Sequence, residues 1–463
     1  NALATVPIAD AAVVSAAVGA ARAAFDAGPW PRLPAAERAA YLEAIAAELE
    51  RRSEELARLE TADTGMPRAH TAGGHLPRAV AHLRYFAGEA VRLAGECFPL
   101  DRAYLSLTHR EPIGVIAVLA PWNAPLAVAT MNLGAALAVG NTCVLKPPER
   151  APLTCHVLAE IADDIGLPAG VLNVVHGPGE PTGAALAAHR GVDGICFVGG
   201  TAVGREIAAR AMSQHKRVTL ELGGKSPTII LAGADLPRAI DAALLSVFSS
   251  NGEVCTAGSR ILVQRSLYEE VVGQLAARAA QIRVGDPQDL ATELGPLIDE
   301  RHHRAVSAMI DGAVRDGCRL VAGGQRPATL ADRPYLCPAI LRDGHNQMAI
   351  AREEVFGPVA VVIAVTGAED AVQIANDSDY GLSASVWVAD TSDGLAIARQ
   401  LRAGTVAVNS SAIRDIRAPF GGVRHSGLGR VGGRWSLDQY SEVKTVCLRV
   451  EGYPLPRLGA AER

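Results

Sequence analysis

Apolar residues recur along this chain with two different periods. Between Pro34 and Thr64, Leu42, Ile45, Leu49, Leu56 and Leu59 fall near helical spacing, which predicts one long amphipathic helix ended by Gly65 and Pro67. From Gly114 onward the pattern changes to short apolar runs alternating with helical segments. These are Val115–Ala120, a helix to about Val139, Thr142–Leu145, a helix over Thr154–Ile165, Val171–His176, a helix near Thr182–His189, and Ile195–Val198. Such alternation is the signature of βαβ units around a parallel sheet. A second series follows Gly223, with strands expected at Thr228–Leu231, Ile261–Val263, Val359–Val365, Ser385–Val388 and Thr405–Val408. The expected fold class is α/β, with two Rossmann-like lobes meeting near Glu221 to Lys225. Ser441–Val450 reads as an isolated late strand that neither lobe needs, and its unpaired edge suits pairing with another subunit.

Composition narrows this picture. At 463 residues the chain exceeds one ordinary core, since domains run to about 100–200 residues. The net charge of −5 comes from acidic and basic residues mixed along the whole length, so no basic stripe offers itself to nucleic acid. Asn1 to Ala24 is rich in alanine and valine but lacks a basic leading region, and Asp10 stands where a helix cap belongs, so a helix start is expected there and no signal peptide. Apolar runs such as Gly114 to Ala120 fall far short of the ~20 residues that cross a bilayer, so no membrane span is expected. The 8 cysteines are scattered, without a Cys-x-x-Cys pair or a histidine cluster, which argues against a disulfide scaffold or a metal site and for the reducing cytoplasm.

Several segments carry candidate chemistry. Asn251-Gly-Glu-Val-Cys255 sets a cysteine after a glycine turn and before a strand, where its sulfur would be presented at an element's edge. Glu221-Leu-Gly-Gly-Lys places a carboxylate at a chain reversal between the lobes. A thiolate nucleophile and a water-activating carboxylate fit a two-step acyl mechanism, because attack and hydrolysis need different groups. Pro121-Trp-Asn123 joins a strand to a helix, where the Asn123 amide can stabilise an oxyanion. Phe197-Val-Gly199-Gly200-Thr-Ala-Val-Gly204 follows a strand and opens a helix, while Gly177-Pro-Gly179 closes the preceding strand. Small residues at such turns let a pyrophosphate approach backbone N–H groups, although neither segment is a strict G-x-G-x-x-G. Lys146 and Glu149, in Lys-Pro-Pro-Glu just past a strand, suit the ribose hydroxyls of a dinucleotide.

Taken together and in this order, with Glu354-Val-Phe-Gly-Pro358 and Pro419-Phe-Gly-Gly added, these segments resemble the aldehyde dehydrogenase superfamily over essentially the whole chain. The resemblance implies a dinucleotide-binding domain over 1–93 and 113–222, a catalytic domain over 223–430, and oligomerisation or bridging segments at 94–112 and 431–463. It implies Cys255 as nucleophile, Glu221 as general base, and Asn123 with the Cys255 N–H as oxyanion hole. Trp122, Lys146, Glu149, Gly179, Phe197, Gly199, Gly200, Val203, Leu222, Glu354 and Phe356 take the places of cofactor-site residues. No metal is implied. The resemblance implies NAD as cofactor, with NADP also open, and Glu149 favours NAD because a carboxylate near the ribose 2′-position repels a phosphate. A homodimer or homotetramer is expected.

Two departures from the family pattern stand out. Val198 and Gly200 replace hydroxyl residues at the cofactor turn, and Val431 replaces a glutamate after Arg430. Within the family the chain is most similar to the muconic semialdehyde dehydrogenases of aromatic catabolism, in particular the 5-carboxymethyl-2-hydroxymuconate semialdehyde enzymes. The residues behind this are Phe-Val-Gly-Gly-Thr201, the 251–260 segment, Ile413-Arg-Asp415, and Leu76-Pro-Arg78 ahead of Tyr85-Phe86. The resemblance implies that Arg78 and Arg414 lie in the aldehyde pocket and hold a substrate carboxylate through paired charge-assisted hydrogen bonds. Three alternatives are a neutral aliphatic or aromatic aldehyde as substrate, a CoA-acylating relative, which would not need Glu221, and a non-catalytic role.

Overall fold

The computed structural model describes residues 3–99, 104–410, 414–450 and 458–459; Ile413 lies outside them. Two mixed α/β sheets with helices on their faces form the body of the chain, which is the expected fold class. In the first sheet the strands lie in the spatial order Gly427–Leu428, Arg217–Glu221, Gly194–Val198, Val115–Leu119, Thr142–Lys146 and Leu172–Val174. All neighbours run parallel except the short Gly427–Leu428 strand. The strand order reverses between Val115–Leu119 and Gly194–Val198, so the connections leaving these two neighbours diverge and open a crevice at their carboxyl ends.

The second sheet has the order Arg319–Ala322, Ala339–Gly344, Val359–Val365, Arg260–Gln264, Pro227–Ile230, Ser383–Trp387 and Thr405–Val408. It is parallel apart from its first pair.

One helix is central to the first lobe. Pro125–Val139 is buried at every position, between the sheet and the helices Ala35–Arg51 and Leu76–Ala90. An element covered on all sides has no solvent face, so its sequence carries no amphipathic period. Pro125 supplies the fixed φ of a first helical turn, and Gly140 at φ 110 ends the helix in a left-handed conformation. The buried Arg38 guanidinium donates to the Ala138 carbonyl at 3.1 Å, satisfying one carbonyl of the last turn.

Several sequence expectations need correction. The 34–64 helix is two helices, Ala35–Arg51 and Ser53–Thr64, broken at Arg52. The step from Leu49 to Leu56 keeps the apolar face in phase across the break, and both residues are fully buried, so periodicity cannot see it. Gly65, left-handed at φ 79, does end the second helix. Strand Arg217–Glu221 was not expected at all, because both of its faces are covered and the alternation that marks a half-buried strand is missing. Strands Arg319–Ala322 and Ala339–Gly344 were also not foreseen.

The tail strand, observed as Ser441–Arg449, is not isolated. It pairs antiparallel with Tyr104–Pro112 from Ser441↔Pro112 to Arg449↔Tyr104, and Cys97–Pro99 completes a separate three-stranded sheet. Its partner lies far back in the sequence in a run of mixed polarity, Tyr-Leu-Ser-Leu-Thr-His-Arg-Glu-Pro, which shows no single buried face.

Asp10 caps the Ala11–Asp26 helix, its carboxylate accepting from the N–H groups of Ala12 and Val13. Among the described residues the stretch Ala11–Arg32 is long and apolar enough by composition to cross a membrane. Its Val14, Val18 and Ala21 are instead packed into the apolar core of the first lobe.

Candidate active site

The crevice at the strand-order reversal holds a cavity of about 650 Å³. Leu119 leads from one strand into Trp122 and Asn123, and Val198 leads from the other into Gly199 and Gly200, where the Thr201–Met212 helix begins. Every residue expected at the nucleophile, base, oxyanion and cofactor positions lines this one cavity: Cys255, Glu221, Asn123, Trp122, Lys146, Glu149, Gly179, Phe197, Gly199, Gly200, Val203, Leu222, Glu354 and Phe356. Arg78 and Arg414 do not line it.

The cysteine loop is held by strained backbone. Ser250 and Asn251 take left-handed φ values of 50 and 58, and Gly252 follows at φ 70. The fully buried Asn251 pays for this conformation in hydrogen bonds. Its amide donates to the carbonyls of Gly65 at 3.0 Å and Pro296 at 2.9 Å, and its Oδ1 accepts from Gly295 at 2.7 Å. Gly252 lies against the backbone of Gly357 and Pro358, with no room for a Cβ, so Asn251-Gly-Glu-Val-Cys and Glu354-Val-Phe-Gly-Pro dock on each other. The two glycines after Glu221 serve the same purpose. A Cβ on Gly223 would strike the Glu354 carboxyl, and one on Gly224 would strike the Cys255 carbonyl. The motifs read along the sequence are therefore mutual contacts.

Glu221 ends the Arg217–Glu221 strand. Burial pushes its carboxyl up to about 8 against the pull of the Arg414 and Arg430 guanidinium groups. Both carboxyl oxygens are buried with no hydrogen-bond partner among the described residues, so they are free to bind a water or a substrate atom. Gly421 of Pro419-Phe-Gly-Gly lies directly against this carboxyl, and Arg430 braces the turn by donating to the carbonyls of Gly422 at 2.9 Å and Gly429 at 2.7 Å. Burial pushes the Cys255 thiol up to about 11; Arg414 opposes this, and Glu354 and Glu221 add to it. Asn123 donates one amide hydrogen to the Glu253 carbonyl at 2.8 Å, which fixes the amide beside the cysteine loop and leaves its second hydrogen for another acceptor.

The remaining walls suit a dinucleotide. Phe356, at φ 54, meets Trp122 edge to face with ring centroids 5.2 Å apart. Glu354 accepts from the Gly224 N–H at 3.0 Å, and burial raises its carboxyl to about 7. The buried Lys146 donates to the Pro147 carbonyl at 2.6 Å and lies 3.5 Å from Glu149. A Cβ on Gly179 or Gly200 would meet nothing within 4 Å, so both turns present bare backbone to the cavity. The Phe197 ring lies over Gly199, and Leu222 packs against Gly204, closing the floor. Val203 stands half exposed at the rim.

Several lining residues were missed by sequence reasoning, among them Arg150, Glu180, Arg210, Arg301 and His302. His302 donates to the Phe356 carbonyl at 2.7 Å and packs edge-on against Trp122 at 5.6 Å. In sequence it belongs to a polar helix start capped by Asp299, which reads as a solvated face; no local signal marks it. The departure at Val431 has a plain cause, since this residue is buried in an apolar cluster with Ala124, Val128 and Met131, where a carboxylate would be desolvated.

Arg78 and Arg414 approach the nucleophile from outside the cofactor cavity. The charge of each is felt at Cys255, and each is felt by the other's surroundings at His82. The Arg78 Nε is buried without a hydrogen-bond partner, and burial, reinforced by Arg414, lowers its guanidinium to about 10. Arg414 is exposed and lies over the Phe420 ring at 3.9 Å. The adjacent Asp415 is engaged by Arg417 at 2.7 Å. Among the described residues no carboxylate stands within ion-pair distance of Arg78 or Arg414. No group of three or more histidine, cysteine or acidic side chains is arranged to hold a metal among those residues.

A crevice at a strand-order reversal, walled by small-residue turns and closed by a loop that carries a thiol, fits a dinucleotide-dependent oxidoreductase. The family model for the aldehyde dehydrogenase family matches residues 1–446. The chain is 43% identical over 430 residues to the 5-carboxymethyl-2-hydroxymuconate semialdehyde dehydrogenase of Escherichia coli, covering 92% of this chain and 91% of that protein. It is 42% identical over 440 residues to the mitochondrial aldehyde dehydrogenase of Homo sapiens, covering 94% and 84%. The NAD+ complex of an aldehyde dehydrogenase from Bacillus cereus superposes with a TM-score of 0.95 at 39% identity, covering 97% of this chain and 91% of that one. The chain belongs to the aldehyde dehydrogenase family. It is an NAD-dependent oxidoreductase that converts aldehydes to carboxylic acids.

Proposed function

We propose that this enzyme oxidises a semialdehyde that also carries a carboxylate, of the muconate type, through a thioester on Cys255. The observation that carries the substrate class is the pair Arg78 and Arg414, two guanidinium groups whose charges are felt at the nucleophile and which form no ion pair with a carboxylate among the described residues, although Glu60 favours the charged form of Arg78 and Arg414 that of Glu221. Arg78 is part-buried with its Nε left without a hydrogen-bond partner, and a planar carboxylate arriving with the substrate supplies a partner through bidentate hydrogen bonds. The Escherichia coli relative named for such a semialdehyde and the human mitochondrial enzyme are almost equally similar overall, so the arginines and not the identity support this reading.

In the proposed reaction the thiolate of Cys255 adds to the aldehyde carbon. The free hydrogen of the Asn123 amide and the Cys255 backbone N–H donate to the developing oxyanion. NAD, when bound, supplies the hydride acceptor that this adduct needs; Glu354, Phe356 and Trp122 would hold its nicotinamide end, and Gly199, Gly200, Lys146 and Glu149 its pyrophosphate and ribose. Glu221 then takes a proton from water, and the resulting hydroxide attacks the thioester carbon, breaking its C–S bond so that the Cys255 thiolate leaves and the acid is released. The empty hydrogen-bonding capacity of Glu221 supports this role, and it disfavours transfer to a CoA thiol, which needs no such base.

Arg414→Ala is expected to raise KM for a semialdehyde acid about tenfold or more, the scale of one lost charge-assisted pair, with a much smaller change for a neutral aldehyde of equal length. Steady-state kinetics on the two substrates with NAD checks this. Equal changes would assign the enzyme to neutral aldehydes.

The three-stranded sheet also supports a homodimer or homotetramer. Its outer strand Ser441–Arg449 exposes Val443 and Leu448, and among the described residues no further strand pairs with it on that side, which suits pairing with a second subunit. Light scattering of the purified enzyme checks this; a monomeric mass would refute it. Cytoplasmic residence is supported by the free cysteines, of which Cys143, Cys155, Cys196 and Cys318 are buried.

A further inference from the structure

The helix that bears Arg78 is not regular. Within the otherwise helical run from Arg68 to Ala90, Thr71–His75 forms a π-helical turn, and Arg78 lies one turn beyond His75 on the same face. A π turn inserts one residue, so everything after it is rotated by roughly 100° relative to a continuous α-helix. The aim of Arg78 therefore depends on the π turn persisting, although the turn contains Gly73 and Gly74, which contribute neither helix propensity nor packing.

Its two ends are anchored by side chains from the Ser53–Thr64 helix. At the start, Thr71 Oγ1 lies 2.8 Å from Thr61 Oγ1 and donates to the Ala57 carbonyl at 3.1 Å. At the end, His75 Nδ1 donates to Glu60 Oε1 at 2.8 Å. Glu60 has no exposed surface, and its second oxygen accepts from the Thr154 hydroxyl at 2.9 Å, which ties in the Leu153–Asp164 helix as well. A carboxylate buried this completely is retained only where both oxygens are satisfied. On the other side His70 Nδ1 accepts from the Ser250 N–H at 2.9 Å, so the same turn is fastened to the cysteine loop. None of these groups reaches the cavity lined by Cys255.

We infer that Glu60, acting through His75, is a positioning residue that holds the Thr71–His75 π turn and so aims Arg78 at the carboxylate of a substrate bound on Cys255. This rests on the carboxylate reading given above, and it specifies which buried contact makes that reading work. Without the Glu60 bond the run can relax to a continuous helix, and the turn that follows swings away.

The test uses two alkylating reagents of matched size, anionic iodoacetate and neutral iodoacetamide, with modification at Cys255 read by peptide mass spectrometry. The ratio of their rates at that sulfur reports a guanidinium placed to receive a carboxylate, whatever the natural substrate is. Arg78→Ala is expected to lower the iodoacetate-to-iodoacetamide ratio about fivefold to tenfold, and Glu60→Leu and His75→Leu to lower it nearly as far. Glu60→Gln, which keeps an acceptor for His75, should stay close to the unmodified enzyme. In an Arg78→Ala background Glu60→Leu should have no further effect on the ratio. With a semialdehyde acid, Glu60→Leu should raise KM far more than it lowers kcat.

A folded Glu60→Leu or His75→Leu enzyme, judged by a cooperative thermal transition, that keeps the original ratio would overturn the inference. So would a fall of equal size in the Arg78→Ala background. If the ratio responds as expected while Arg78→Ala shifts KM equally for acid and neutral aldehydes, the positioning role stands and the substrate class is lost.

Discussion

Cys255→Ala is expected to lower NADH formation from any aldehyde by on the order of 10⁴-fold or more, because the substitution removes the covalent step itself. Absorbance of the reduced cofactor checks this, and a rate near that of the unmodified enzyme would defeat the mechanism. No other cysteine can stand in. Cys143, Cys155, Cys196 and Cys318 are buried and Cys337 is partly buried, and none of these five lines the crevice. Cys97 and Cys447 are exposed, but they belong to the three-stranded sheet away from the crevice.

Glu221→Gln is expected to show a different signature. Acylation of Cys255 survives, so NADH appears in a burst of about one equivalent per site, and the following steady state falls by about 10²- to 10⁴-fold because water has lost its base. Intact-protein mass spectrometry of the arrested enzyme should find the acyl group on Cys255. The pH dependence follows from the same residue. The Glu221 carboxyl is raised to about 8, so the base form is scarce below that value, and deacylation should rise about tenfold per unit of pH up to it and then level off. In Glu221→Gln this limb should vanish. Loss of the burst together with the steady state would instead assign Glu221 to the first step.

The motifs were legible in the sequence because they combine residues with few other uses. Paired glycines after Glu221, glycine next to Asn251, and Trp122 beside Asn123 mark places where two backbones or an aromatic wall must meet closely. The structure brings these segments into contact as close packing requires. What escaped was set by distant partners. The break at Arg52 is invisible because Leu49 and Leu56 stay in phase, and the strand ending in Glu221 because both its faces are covered. His302 reaches the crevice only because Phe356 and Trp122 arrive from other parts of the chain. The π turn before Arg78 depends on Glu60 and Thr61, which no spacing rule connects to it.

The Pro125–Val139 helix, enclosed at every position, has a consequence for how the enzyme fails on heating. Asn123 is attached to the start of this helix and is fixed by a bond to the cysteine loop, so the proposed oxyanion donor is tied to a fully buried element of the lobe. Loosening it alone would require opening that core, where removing a single leucine side chain costs about 2–5 kcal/mol. Heat inactivation should therefore follow global unfolding closely, with little loss of activity beforehand, and mutations that stabilise the first lobe should extend the working temperature of the active site by the same amount.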